Sequence, residues 1–160
     1  MRGRAVAAVG MVLIVVVAAA CGGSDGGGTA GPQDPAVTST QKDDGGSVDV
    51  EATWVTPDHL ATDEKLRAAA SEYDGDDVFL LHVSMNTHSG DLSGYDLGVL
   101  TSLDDGRVSQ RPLGWSKVSD DSHHTEALLA FKRPDDAAAL TLVMADLGGV
   151  SERRLTWEVE

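Results

Sequence analysis

The chain of 160 residues contains 12 basic and 26 acidic residues, which gives a formal net charge of −14 at neutral pH. A chain this acidic repels phosphate groups, so nucleic-acid binding is excluded from the expected functions. Cys21 is the single cysteine, which excludes an intramolecular disulfide and means that the fold needs a hydrophobic core of its own.

The chain begins with an apolar stretch from Ala5 to Ala20 that follows Arg2 and Arg4 and ends at Cys21. A basic start, an apolar run too short to cross a bilayer comfortably, and small residues before the cysteine are typical of an export signal. The segment resembles the lipobox of bacterial lipoprotein precursors, although Ala18 stands where that family usually has leucine.

This resemblance implies cleavage before Cys21, attachment of lipid to its thiol, and a location on the extracytoplasmic face of the cell membrane. The alternatives are a transmembrane anchor and an ordinary secretory peptide cut after Ala20. Removal of residues 1–20 takes away Arg2 and Arg4 and leaves 10 basic and 26 acidic residues, a net charge of −16.

Residues 21–46 are rich in Gly, Ser, Thr, Pro and Asp and contain almost no large apolar side chain. Such a segment buries too little surface to fold, so we expect a flexible linker between the lipid and the folded domain. The domain is predicted to span residues 47–160, which is the length of one ordinary domain.

The domain alternates apolar and polar residues with a period of two, which is typical of half-buried strands. Seven short strands predict an all-β, antiparallel, immunoglobulin-like sandwich. The strands are expected around 48–54, 79–85, 97–103, 108–115, 127–131, 140–144 and 155–159.

Two interruptions in this pattern predict other elements. Asp105-Gly106 favours a hairpin between the third and fourth strands. Between Leu60 and Tyr73 the apolar spacing predicts one short helix with Thr62 as its N-cap.

Two predicted loops contain three of the five histidines, and up-and-down strands would place both loops at one end of the sandwich, together with the loop at residues 146–152. Imidazole nitrogens and a carboxylate are suitable ligands for zinc or copper. We therefore predict a metal site with His88 and His123 as ligands, assisted by Asp91 and His124. The alternative is that these histidines only hydrogen-bond and order the loops. The other two, His59 and His82, are expected to be exposed.

Calcium is a further alternative, because Asp91, Ser93 and Asp96 supply oxygen atoms on a Gly-containing turn, but the EF-hand pattern is absent.

The sequence contains neither G-x-S-x-G nor S-x-x-K, and its glycine-rich segment lies in the linker. We therefore do not expect an enzyme.

Three short segments resemble landmarks of a family of exported bacterial domains: Thr87-His88-Ser89, Gly94-Tyr95-Asp96-Leu97 and Ser122-His123-His124. The resemblance supplies no role for them.

Two functions follow from the sequence: a lipid-anchored module that binds copper or zinc, or an interaction module that binds another envelope protein through the loops or a strand edge. The membrane is the expected partner of the lipid, and no obligate oligomer is predicted.

Overall fold

The computed structural model describes residues 39–73 and 75–159, which form two antiparallel β-sheets with short helices. The predicted signal peptide, Cys21 and most of the predicted linker lie outside the described residues. The elements are β1 (Thr40–Asp43), β2 (Val48–Trp54), α1 (Pro57–Thr62), α2 (Glu64–Ala70), β3 (Val78–Thr87), α3 (Leu97–Leu100), β4 (Thr101–Asp104), β5 (Ser109–Gln110), β6 (Gly114–Asp120), β7 (His124–Lys132), β8 (Ala139–Leu147) and β9 (Val150–Glu158).

The five-stranded sheet has the order β1-β2-β3-β7-β6, and the four-stranded sheet has the order β5-β4-β8-β9. The chain changes sheet three times, between β3 and β4, between β5 and β6, and between β7 and β8. The prediction of an all-β antiparallel sandwich is confirmed.

The core fills the space between the two sheets, because alternate residues of each strand face inward. Its largest members are Phe79, Phe131 and Trp157, each almost completely buried. Five predicted strands coincide with β2, β3, β7, β8 and β9, and their predicted apolar faces are the buried ones.

The prediction of seven strands is wrong, since the described residues form nine. The strand expected at 97–103 is a helical turn, α3, followed by β4. The helix begins because the Asp96 carboxylate accepts a hydrogen bond from the backbone N of Gly98, 3.0 Å away. The strand expected at 108–115 is divided between β5 and β6, which lie in different sheets.

β1 lies inside the segment predicted as a flexible linker. Its polar residues pair with β2 from Thr40 opposite Thr53 to Asp43 opposite Val50. Backbone pairing needs no apolar side chain, which is why composition alone does not reveal this edge strand. The folded domain therefore starts several residues before position 47.

The helix predicted between Leu60 and Tyr73 is α2, and a further helix that was not predicted, α1, precedes it. Asp63, not Thr62, caps α2, because its carboxylate accepts a hydrogen bond from the backbone N of Leu66 at 2.9 Å. Leu66 and Ala70 pack on Leu128, on the outer face of the five-stranded sheet. This sheet is thus covered on both faces where the helices lie.

Arg153 is the largest charged side chain inside the sandwich, with none of its side chain exposed. Its guanidinium binds the Asp43 carboxylate at 2.6 Å and also donates to the carbonyl oxygens of Gly45 and Leu147. These bonds join the β1–β2 turn to β8, and they close the side of the sandwich where β1 contacts β9.

Candidate functional site

The loop between β3 and α3 lies against the loop between β6 and β7, as the sequence predicts. The backbone N of Thr87 donates to the carbonyl of His123 at 3.0 Å, and the backbone N of Leu92 donates to the carbonyl of Ser122 at 2.8 Å. These two bonds fix the spacing of the histidine-containing loops.

The β8–β9 turn reaches the same end of the sandwich. The backbone N of Gly148 donates to the Tyr95 hydroxyl at 3.3 Å, and the carbonyl of Gly148 accepts from the backbone N of Ser47 at 2.9 Å. The expectation that three loops share one end is therefore confirmed.

Asp91 and His123 are the predicted ligands that the loop contact brings near each other, and both are exposed. Hydrogen bonds from Ser93 lower the pKa of Asp91, and the charge of His123 lowers it further. His123 has its Nδ1 3.0 Å from the Ser122 hydroxyl. His88 is also exposed, at the start of the same loop as Asp91.

The side chain of His124 points away from the other predicted ligands. It is the first residue of β7, and strand alternation places it on the outer face of the five-stranded sheet. Its Nδ1 lies 2.6 Å from the side-chain oxygen of Asn86, and its Nε2 lies 3.1 Å from the Glu126 carboxylate. Among the residues that the structure describes, no three His, Cys, Asp or Glu side chains form a group suited to hold a metal ion.

The two histidines expected to be exposed are not. His59 accepts a hydrogen bond from the backbone N of Thr56 at 3.0 Å and completes the first turn of α1. His82 has only 22% of its side chain exposed, and its buried Nε2 finds no hydrogen-bond partner in the described part of the chain. Burial lowers the pKa of His82, although Glu126, whose carboxylate is 4.0 Å from Nε2, opposes this effect.

A signal for this burial is present in the sequence. Residues 127–131 are apolar at five successive positions, where a half-buried strand would alternate. Such a run indicates a strand covered on both faces, and His82 lies directly opposite Leu128 on the neighbouring strand.

The sequence pattern does not predict the open side of the sandwich. β1 contacts β9 on one side, so β6 and β5, the other edge strands of the two sheets, lie on the opposite side. Three large apolar side chains of this side are mostly exposed: Val99 at 62%, Val108 at 61% and Leu113 at 65%. They are the exposed large apolar residues of the described chain.

Arg111 lies between these side chains in the sequence and is held in place by backbone oxygens. Its guanidinium donates to the carbonyl of Val99 and, at 3.2 Å, to the carbonyl of Thr101. Neither Arg111 nor the exposed Arg107 pairs with an acidic residue within the described ranges. We name residues 107–117 together with Val99 the open edge; it combines exposed apolar side chains with unpaired positive charge.

Comparisons with protein-family models, with curated proteins and with solved structures find no match to this chain. Within residues 39–73 and 75–159, no helix is long and apolar enough to span a membrane.

One further concave surface lies at the opposite end of the sandwich from the histidine loops. Trp54, Phe79, Leu140 and Val159 line an open pocket of about 370 Å³. The rings of Trp54 and Phe79 are 5.1 Å apart at an angle of 59°. Arg133 and Asp136 also line this pocket, so its lining combines apolar and charged side chains.

Proposed function

We propose that this protein is a lipid-anchored module on the extracytoplasmic face of the cell membrane, and that its open edge binds another protein of the cell envelope. The observation that favours this function most is the exposure of Leu113 and Val108, which flank Arg111 in the sequence, and of Val99, whose carbonyl Arg111 binds. Exposed large apolar side chains and arginine are both enriched in interaction surfaces.

The lipid anchor is supported by the sequence from Arg2 to Cys21 and by the polar composition that follows it. With Cys21 lipidated, the residues up to Ser39 would connect the membrane to the described domain. A domain held in this way meets other envelope proteins at a high effective concentration, so even a small binding surface is sufficient.

Two packed antiparallel sheets joined by connections that cross between them support the immunoglobulin-like relationship, which we keep as part of the proposal. Domains of this architecture commonly bind through strand edges and loops. The open edge is such a strand edge, and it is far from the side that Arg153 closes.

Site-specific photocrosslinking in the cells that make the protein tests this function. We expect p-benzoylphenylalanine at position 113 to crosslink one discrete envelope protein, and the same residue at position 151 not to do so. Ser151 is an exposed residue of β9, on the closed side. The absence of a crosslink specific to position 113, in cells where the protein accumulates normally, would contradict the proposal.

Metal capture by the histidine loops is the second candidate, because the contact between these loops places Asp91 near His123. In this hypothesis His88 and His123 bind zinc or copper, and Asp91 and His124 assist, His124 after a rotation away from Glu126. The predicted site stays a prediction.

Calorimetric titration with zinc and copper(II), on protein without a histidine tag, tests the metal hypothesis. Submicromolar binding of one metal per chain, lost when His88 and His123 are both changed to alanine, would favour it. A His59→Ala variant is the control, since His59 lies among the helices. Weak binding, or equal binding by all three proteins, would contradict a loop site.

A further inference from the structure

We infer that the partner of the open edge contributes an extended acidic segment, which pairs with the free side of β6 as an additional strand of the five-stranded sheet. This inference rests on the proposed function, because it names the chemistry of the partner at the same surface. Its support comes from the edge itself, its side chains and its charge.

β6 is the strand of this side that can accept a partner. It runs for seven residues, from Gly114 to Asp120, and pairs only with β7. β5, the other edge strand here, has two residues. β9 is longer, but β1 lies beside it. An edge strand presents unpaired N–H and C=O groups, which an extended peptide can satisfy.

The regular part of β6 is also the part next to the exposed apolar residues. Its pairing with β7 is continuous from Gly114 to Lys117 and is displaced between Lys117 and Ser119 by a bulge. A bulge hinders strand addition, so the second half of β6 is the protected half. Leu113 directly precedes the unprotected half.

The charge of the surface selects the chemistry of the partner. Arg107 and Arg111 are exposed and form no ion pair with a described carboxylate. Backbone hydrogen bonds lower the pKa of the neighbouring Asp105, and the charge of Arg107 helps to lower it; Lys117 binds Asp120 at 2.8 Å. These arginines stand out in a mature chain whose net charge is −16. A partner with acidic side chains is attracted to this edge, while basic and neutral segments gain nothing from it.

A second copy of the chain fits this edge less well. Two molecules of the same strongly negative charge repel each other. We therefore assign the edge to a different protein.

Hydrogen–deuterium exchange of the full chain, purified in detergent, tests this inference by mass spectrometry. The probe is a capped peptide of alternating glutamate and valine at about 1 mM, a concentration suited to a weak ligand. We expect amide exchange in residues 114–117 to slow about twofold or more, because each bound peptide protects the outward amides. The matching lysine–valine peptide should have no effect.

Two variants test whether the protection of β6 depends on the charge at the open edge and not on the net charge or the fold of the chain. Arg107→Glu should abolish the protection, because the Arg107 side chain makes no hydrogen bond to a described residue and its loss leaves the fold intact. Lys65→Glu, which changes the net charge equally on α2, should retain it. A version of the probe with N-methylated backbone should also fail, since it cannot pair as a strand.

The results that would overturn the inference are distinct from those that would overturn the function. No protection of β6, equal protection by the lysine peptide, retained binding of the N-methylated probe, or a dimer of the chain in sedimentation would each contradict an acidic strand as partner. The crosslink at position 113 is independent of these results. It would still be obtained if the partner binds the open edge through another kind of structure.

Discussion

Arg153 shows how one residue on the inner face of a strand determines which side of the sandwich is closed. It shares its face of β9 with Leu155 and Trp157, so the alternation of that strand places a guanidinium among apolar side chains. A buried charge requires compensation, which the Asp43 carboxylate and three backbone carbonyls supply. β1 is thereby attached to the second sheet.

We predict that Arg153→Leu destabilises the protein by about 2 kcal/mol or more. The substitution removes a buried cation and leaves the Asp43 carboxylate, of which 29% is exposed, without its partner. Arg154→Leu is the control, because Arg154 has half of its side chain exposed and its ion pairs contribute about 0.5 kcal/mol. Urea unfolding of both variants measures the difference; equal losses would show that Arg153 does not hold the two sheets together.

His82 gives the protein a pH dependence of known sign. Burial lowers its pKa in the folded state below the ordinary histidine value of 6.5, so the unfolded chain binds a proton more readily. The contribution of His82 to the free energy of unfolding is therefore fully present above pH 6.5. It falls as the pH decreases from there toward the pKa of His82 in the folded state. Glu126, Asp63 and Glu51 face His82 and oppose this effect, while His59 adds to it.

We therefore expect the free energy of unfolding to fall between about pH 7.5 and about pH 5.5, and to fall less in a His82→Gln variant, which cannot titrate there. His88→Gln, at an exposed histidine, should behave as the unchanged protein. Urea unfolding at the two pH values provides the comparison. An identical pH dependence in His82→Gln and the unchanged protein would contradict the account of burial at His82.

At the scale of elements, the sequence predicts strands wherever alternation is uninterrupted. β3 is the clearest case, since Phe79, Leu81, Val83 and Met85 face the core and the intervening residues do not. β2, β7, β8 and β9 follow the same rule. The local pattern is sufficient to predict these strands because successive side chains point to opposite faces, and the apolar set marks the face that is buried.

The elements that the sequence did not predict depend on contacts with distant residues. α3 is followed at once by β4, and Gly98 lies so close to Trp115 that a Cβ at this position would be 2.8 Å from the ring. β1 has polar residues and exists because β2 offers it an edge. Neither contact can be inferred from residues nearby in the sequence.

The β8–β9 turn provides a prediction at this scale. Gly148 has φ +62°, and a Cβ there would be 2.8 Å from Val48, whereas Gly149 has φ +80° and open space around it. Alanine at 149 should cost about 1 kcal/mol from the left-handed backbone alone. Alanine at 148 should cost about 1 to 3 kcal/mol more, because it also presses on β2.

Thermal unfolding of the two alanine variants measures this difference. Equal melting temperatures would mean that the turn moves away from Val48 without cost. In that case the packing of the loops at this end would be less rigid than the structure indicates.

At the scale of the whole molecule, the candidate site was only partly predictable. Strand order in a simple sandwich brings alternate loops to one end, so the meeting of the two histidine loops followed from topology. The face of His124 also followed from the sequence, because alternation from Leu129 and Phe131 places this first residue of β7 on the opposite face of the strand. Its contact with Asn86 did not, since it depends on which strand lies beside β7.

The open edge was not predictable because it depends on which strands end the two sheets. Val99, Val108 and Leu113 lie in segments that the sequence assigned to strands, where apolar residues are expected to be buried. Only the sheet order places them beside β5 and β6 and opposite the side that β1 and Arg153 close. The molecule is therefore asymmetric, with one side closed by β1 and Arg153 and an open side that carries exposed apolar residues and arginines without an ion pair among the described residues.

The affinity of the envelope protein crosslinked at position 113, measured by calorimetry with both proteins purified, tests the proposed binding at the open edge most directly. Leu113→Asp should weaken binding about tenfold or more, because it places a charge in the apolar centre of the surface and repels an acidic partner. Ser151→Asp, which adds the same charge on the closed side, should change the affinity less than about twofold. Equal affinities of the two variants, with unchanged thermal stability, would show that the open edge is not the binding surface.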